Sequence, residues 1–187
     1  MYIKTKVGML LVIALVTLNA NLKDNVASIR LTNLEEQVQD FKKQDEALIV
    51  LAKILREKIF DMPTEPDEIR ACLANPANQE IFKTITFLDM GEKQLKTIPE
   101  EIGFLVNLEE LYLTGNQLTG LPKTFANLVN LKFLALNRNC FDTFPTQILN
   151  LVNLEGIDLN ENHLSVLPKR LGNLVNLRIL ALVRWRI

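Results

Sequence analysis

The chain has few of the residues that do chemistry. It holds one histidine, two cysteines and two serines, Ser28 and Ser165. Ser165 lies two positions from His163 in the same turn and Ser28 falls in a distant charged stretch, so a Ser-His-Asp relay cannot be assembled. No CxxC spacing and no glycine-rich phosphate loop occurs. Lysine and arginine number 21 against 22 aspartates and glutamates, a net charge of −1, which gives no basic surplus for nucleic acid. The most apolar run, Val7 to Leu18, is shorter than the roughly 20 residues a spanning helix needs. These absences argue against an enzyme, a cofactor, a metal centre and a nucleic-acid partner.

What is abundant is leucine, and it is in phase. The segments LVNLEELYLTGNQLTGLPKTFAN, LVNLKFLALNRNCFDTFPTQILN, LVNLEGIDLNENHLSVLPKRLGN and LVNLRILALVRWRI begin at Leu105, Leu128, Leu151 and Leu174. A fixed period of this size, with the pattern L-x-x-L-x-L-x-x-N-x-L, is that of leucine-rich repeats. The predicted fold is an α/β solenoid with short parallel strands on a concave face, an irregular or helical convex side and an N-terminal helical arm. Alternation around Leu111, Tyr112 and Leu113 turns the leucines inward and Tyr112 outward. Asn116, Asn139 and Asn162 stand where the chain leaves each strand, and an amide there can donate to and accept from backbone. Pro122, Pro145 and Pro168 open the return segments, and Phe125, Ile148 and Leu171 fill the core from that side. One period earlier, Phe82, Ile85, Leu88, Met90, Leu95, Ile98, Pro99 and Ile102 make a degenerate first repeat, with Lys93 at the asparagine phase. Trp185 takes that phase in the last, partial repeat.

The segment ACLANP (71–76), the stretch FLDMGEKQLKTIPEEIG (87–103) and the repeats from Leu105 together resemble the exported leucine-rich-repeat proteins of Leptospira. That resemblance spans about residues 67–187 and implies a secreted or surface-exposed binding protein that contacts a host. The same repeat also looks like that of cytosolic Ras-scaffold proteins, so the motif leaves the compartment open. LVRWRI breaks the pattern in mid-repeat, and no C-terminal cap is expected.

The boundaries expected are a signal peptide at 1–20, an amphipathic helical arm at 21–64, a cap helix at 65–81, and four repeats plus a partial fifth at 82–187. MYIKTK followed by the Val7–Leu18 run and NANL has the charge order of a secretory signal, with an uncleaved anchor as the alternative. In the arm, Leu31, Val38, Ala52 and Ile59, and Leu34, Phe41, Leu48, Leu55 and Met62, recur at multiples of seven. A coiled-coil dimer and a helix packed on its own chain both fit this seam. The widening stripe at Ile49, Leu51 and Ile54 favours the second. Pro63 and Pro66 end the helix, and a short one over 67–73 stops at Asn75-Pro76.

Cys140 and His163 share a phase in adjacent repeats, about 5 Å apart by strand spacing, yet they have no third ligand and no orienting base. Asp89 and Asp158 are in phase but about 14 Å apart, too far to share an ion. The surface remains. The expected ligand-binding residues on the concave face are Phe87, Asp89, Glu110, Tyr112, Thr114, Phe133, Asn137, Arg138, Asp158, Asn160 and Glu161, with Tyr112 and Phe133 as aromatic anchors. The function expected is a non-enzymatic protein-binding module of the cell envelope or secreted fraction, with no membrane insertion beyond the signal or anchor. One alternative is an envelope protein that self-associates through the arm and an open last strand. Another is an intracellular signalling scaffold.

Overall fold

The computed structural model describes residues 25–55 and 65–182. The expected signal at 1–20, the end of the arm at Pro63 and the last residues, Trp185 included, lie outside the described residues. The chain divides into two compact units, Met1–Asp45 and Glu46–Ile187. Helix α1 (Asn25–Leu55) contributes to both. In the first unit, Lys43 pairs with Asp40 at 3.4 Å on an exposed turn.

The second unit is built on repetition. Strands β1 (Phe87–Asp89), β2 (Glu110–Tyr112), β3 (Phe133–Ala135), β4 (Gly156–Asp158) and β5 (Ile179–Ala181) form one parallel sheet in chain order. The register follows the repeat: Leu88 pairs with Leu111, Leu134, Ile157 and Leu180 along the sheet, and Asp89 with Tyr112, Ala135, Asp158 and Ala181. Because side chains alternate across a strand, one in-phase leucine column turns the middle residue of every strand inward. No single repeat could bury that residue alone; stacking makes the core continuous.

The return segments explain the prolines. Pro99, Pro122, Pro145 and Pro168 precede 3-10 turns at Glu100–Phe104, Lys123–Asn127, Thr146–Asn150 and Lys169–Asn173. Their φ values, −68°, −66°, −69° and −69°, are those the pyrrolidine ring imposes, so the turn entry is set before folding. Ile102, Phe125 and Ile148 are fully buried from these turns, while Leu171 is half-buried. Turn packs on turn closely: a Cβ on Gly103 would stand 2.6 Å from the Thr124 Cβ and 2.7 Å from its carbonyl oxygen.

Two asparagine ladders stitch neighbouring repeats. In the buried one, Asn139 Nδ2 donates to the carbonyls of Leu113 and Leu136 at 2.9 and 3.0 Å, while its Oδ1 accepts the Leu118 N–H at 3.0 Å. Asn116 and Asn162 do the same one repeat away. The Asn116 carbonyl also accepts the Lys93 N–H, so the lysine at the asparagine phase is served through its backbone. The second ladder uses the asparagine of each LVNL: Asn107, Asn130, Asn153 and Asn176 donate to the carbonyls of Lys83, Val106, Val129 and Val152 at 2.8–3.0 Å. The sequence displays this second column plainly, but its role emerges only from the bonds.

Before β1 the core continues into helices. Ala47, Leu48, Leu51, Ala52 and Leu55 of α1 are buried in the same apolar cluster as the repeats, with Ile49, Val50 and Ile54 half-buried against it. From Glu46 onward, therefore, the seven-residue seam packs against its own chain. Helix α2 (Pro66–Ala74) buries Ile69 and Leu73 in that cluster. Its first turn carries Asp67 and Glu68, which suit the positive end of the helix dipole. Arg70 bridges from α2 to Glu101 in the first return turn at 3.0 Å. A further short helix, α3 (Gln79–Phe82), places Phe82 in the core.

Candidate binding surface

Outward residues of the strands form columns at the spacing of the sheet. Phe87, Tyr112 and Phe133 converge there, although they belong to two different columns. The Phe87 and Tyr112 centroids are 5.4 Å apart with planes at 44°, and Tyr112 and Phe133 are 5.5 Å apart at 42°. Tilted contacts at this distance are favourable between ring quadrupoles, so the three rings support one another as a ladder. Phe87 is 54% exposed, and Tyr112 and Phe133 are half-buried. Phe133 has room because the next position in its column is Gly156: a Cβ there would lie 2.8 Å from Phe133 Cδ2.

Carboxylates border the ladder. The Tyr112 hydroxyl donates to Glu110 Oε2 at 3.1 Å. Partial burial, the Glu110 hydrogen bond, and the charges of Glu110 and Asp89 together push the Tyr112 phenol above its usual 10.0. Asp89 and Asp158 do the same local job in β1 and β4: each accepts, at Oδ1, the backbone N–H two residues on, from Gly91 at 2.8 Å and Asn160 at 2.9 Å. Thr114 Oγ1 donates to Asn137 Oδ1 at 2.6 Å, which joins β2 and β3 just beyond the strands.

Arg138 pairs with Glu92 at 2.9 Å across two repeats, and the left-handed backbone recurs at their phase: Glu92, Gly115, Arg138 and Glu161 have φ of 53°, 67°, 57° and 54°. On the flank, Lys132 pairs with Glu109 at 2.8 Å; that carboxylate's hydrogen bond and charge raise the ammonium pKa. Cys140 is half-buried and His163 exposed. Their backbones are tied to the preceding repeats through Leu118 and Phe141, and both cysteines carry free thiols. Among the described residues no group of three or more metal-ligating side chains converges, and no helix is long and apolar enough to cross a membrane.

At the β1 edge lies a cleft of about 550 Å³ that sequence reasoning did not reach. Phe87, Leu88 and Asp89 form its strand side, Val50, Lys53, Ile54 and Leu55 its helix side, and Lys93 also lines it. The pairing of α1 with β1 has no period in the sequence to reveal it.

A parallel stack of short strands, tied by asparagine ladders and presenting aromatic and charged side chains outward, is a repeat solenoid. The chain belongs to the leucine-rich repeat region family, whose model matches residues 80–186. Such regions are typically protein-interaction modules rather than catalysts. The solved structure of a leucine-rich-repeat protein of Leptospira interrogans is similar, at 45% identity with a TM-score of 0.55, over 57% of this chain and 27% of that one. The functional domain of InlJ from Listeria monocytogenes, which includes a cysteine ladder, matches at 24% identity and a TM-score of 0.48, over 55% of this chain and 21% of that one. The leucine-rich-repeat ectodomain of the plant membrane receptor kinase GASSHO1/SCHENGEN3 from Arabidopsis thaliana matches at 37% identity and a TM-score of 0.41, over 46% of this chain and 11% of that one. This chain thus spans about a quarter of the length of the Leptospira protein it matches. No curated protein matches it.

Proposed function

We propose that this chain binds a protein partner through the outward sheet face, with Tyr112 and Phe133 as anchors and Phe87, Asp89, Glu110, Thr114, Asn137, Arg138, Asp158, Asn160 and Glu161 around them. The observation that carries this reading is the Phe87–Tyr112–Phe133 ladder, held at 5.4 and 5.5 Å on a face that the core does not need. Aromatic side chains that are already ordered lose little freedom on binding and bury a large area, which is why such anchors dominate interface energetics. The module works in the secreted fraction or at the cell envelope. Support for export comes from the basic-then-apolar order of residues 1–20, and the Leptospira-like repeat sequence points to a host protein as partner.

The test places the photo-crosslinker p-benzoylphenylalanine at position 112 and, separately, at position 175, where Val175 is 81% exposed away from the ladder. Incubation with host extracellular protein should yield a defined adduct from position 112 and none from 175. Equal labelling from both positions, or none from 112, removes the sheet face as the working surface. Protease accessibility on intact cells tests the compartment: protection of the repeats until lysis overturns surface exposure.

A further inference from the structure

We infer that the partner presents an extended basic segment whose cationic side chains, four residues apart, reach Asp89 at one end and Asp158 at the other. This rests on the sheet face being the working surface and specifies the chemistry that face accepts. Neighbouring rings of the ladder are inclined at 44° and 42°, so their faces are not stacked flat on one another, and Phe87 is 54% exposed. Those faces carry the negative lobe of the ring quadrupole and attract guanidinium and ammonium groups.

The carboxylates reinforce that sign. Glu92, Glu101 and Glu109 are each paired with a cation, namely Arg138, Arg70 and Lys132. Among the described residues no cation pairs with Asp89, Glu110 or Asp158, the three that border the rings. Asp89 and Asp158 are fixed by their turn hydrogen bonds through one oxygen, so a partner cation meets a carboxylate already oriented.

Geometry sets the spacing. Asp89 and Asp158 are separated by Tyr112 and Ala135 in one row of paired positions. That is three strand spacings, about 14 Å. An extended chain advances about 13 Å in four residues, and residues i and i+4 project from the same side. A basic side chain at the midpoint, i+2, falls between the Tyr112 and Ala135 positions, about 2 Å past Tyr112. The segment therefore crosses the strands, along the stacking direction. Lys53 and Lys93 in the cleft beyond Phe87 make that end of the face repulsive to cations, so the basic segment ends near Asp89.

The experiment titrates the full chain by calorimetry at low ionic strength with acetylated nine-residue peptides of threonine and serine. One peptide carries arginine at its third and seventh positions, a second carries glutamate there, and a third carries adjacent arginines at its third and fourth. The first should bind roughly tenfold or more tightly than the others. The triple variant Asp89→Asn, Glu110→Gln, Asp158→Asn keeps an acceptor for both turn hydrogen bonds, so its fold is retained while the charge is removed. It should lose roughly tenfold or more in affinity for the first peptide. Equal binding of all three peptides, no binding of the first, or equal binding by the triple variant overturns the inference. If the triple variant still forms the crosslinked adduct from position 112 at full yield, the basic partner is wrong and the sheet-face reading stands. Absence of that adduct when the crosslinker stands at position 112 and Asp89, Glu110 and Asp158 are all retained defeats the reading itself.

Discussion

Glu92 reaches Arg138 at 2.9 Å, although 46 residues separate them, by passing over the bare Cα of Gly115. All three residues occupy one phase of successive repeats, and all have left-handed φ. Their N–H groups extend the sheet ladder past the strands, to Thr114, Asn137 and Asn160 respectively. The middle position thus combines a conformation that costs an L-residue energy with a space already filled by the Glu92 carboxylate.

Gly115→Ala should therefore destabilise the protein by about 1–2 kcal/mol from the left-handed strain alone, with more from displacing Glu92. Arg138→Ala removes only an ion pair whose side chains are 54% and 62% exposed and should cost under about 1 kcal/mol. Gly120→Ala is the control. A Cβ there meets nothing within 4 Å, so stability should hold or rise by about 0.4–1 kcal/mol through the unfolded chain. Urea midpoints for the three variants check the order. A Gly115→Ala protein as stable as Gly120→Ala contradicts the account.

The two asparagine ladders should differ sharply in energy. Asn139→Ala orphans the buried Leu118 N–H, which water cannot reach, at about 1–3 kcal/mol. It also takes one of two donors from the carbonyls of Leu113 and Leu136, which keep Asn116 and Asn162. Asn130→Ala frees an exposed Val106 carbonyl that water can rehydrate, so about 0.5–1.5 kcal/mol is expected. Hydrogen exchange should show the same contrast, with the Leu118 amide losing protection in Asn139→Ala. Comparable losses in both variants would mean the inner ladder carries no desolvation term.

Much of this fold was legible because the period did the work of an alignment. Leu111, Leu134 and Ile157 share a column as soon as the segments are stacked, and the register that pairs them follows by subtraction. Contacts that run diagonally had no such guide. Phe87 and Phe133 share a column, but their packing on Tyr112 depends on ring direction, which sequence spacing does not carry. Left-handed turns were hidden for another reason: glycine marks the phase at Gly115, whereas Glu92, Arg138 and Glu161 adopt it with ordinary side chains. In α1 the seven-residue spacing runs on through Ala52 and Leu55, so it did not show that core packing begins at Ala47.

Tyr112 provides a pH test. Its phenol is raised above 10.0 chiefly by partial burial, then by Glu110 and Asp89, so folding favours the neutral form. The associated stability is fully present below pH 10.0, the unfolded value, and is lost as pH climbs through the higher folded value. In a Tyr2→Phe background, ultraviolet titration should place the remaining tyrosine above 10.0, and Glu110→Gln should lower it only part of the way, because burial persists. A full return to 10.0 in Glu110→Gln would make the carboxylate, not burial, the main cause.

Gly156 ties the sheet to the proposed anchors. A Cβ at this position would come within 2.8 Å of Phe133 Cδ2 and 3.2 Å of Cε2, while the nearest other atom, Ile179 Cβ, is at 3.8 Å. The obstacle is thus one half-buried side chain and not backbone, and a side chain can turn. Gly156→Ala should cost little stability, within about 1 kcal/mol, since glycine inside a strand already carries an entropic penalty that alanine relieves. Phe133 must nevertheless move, and its contact with Tyr112 changes with it. The crosslinked adduct from position 112 should therefore weaken in Gly156→Ala while the urea midpoint stays near that of the parent. The same substitution at Gly103 makes the contrast, because there the Thr124 carbonyl oxygen stands 2.7 Å away and the backbone has to yield. If Gly156→Ala lowers stability as much as Gly103→Ala, Phe133 is part of the structural core; if only the adduct weakens, Gly156 serves the binding face.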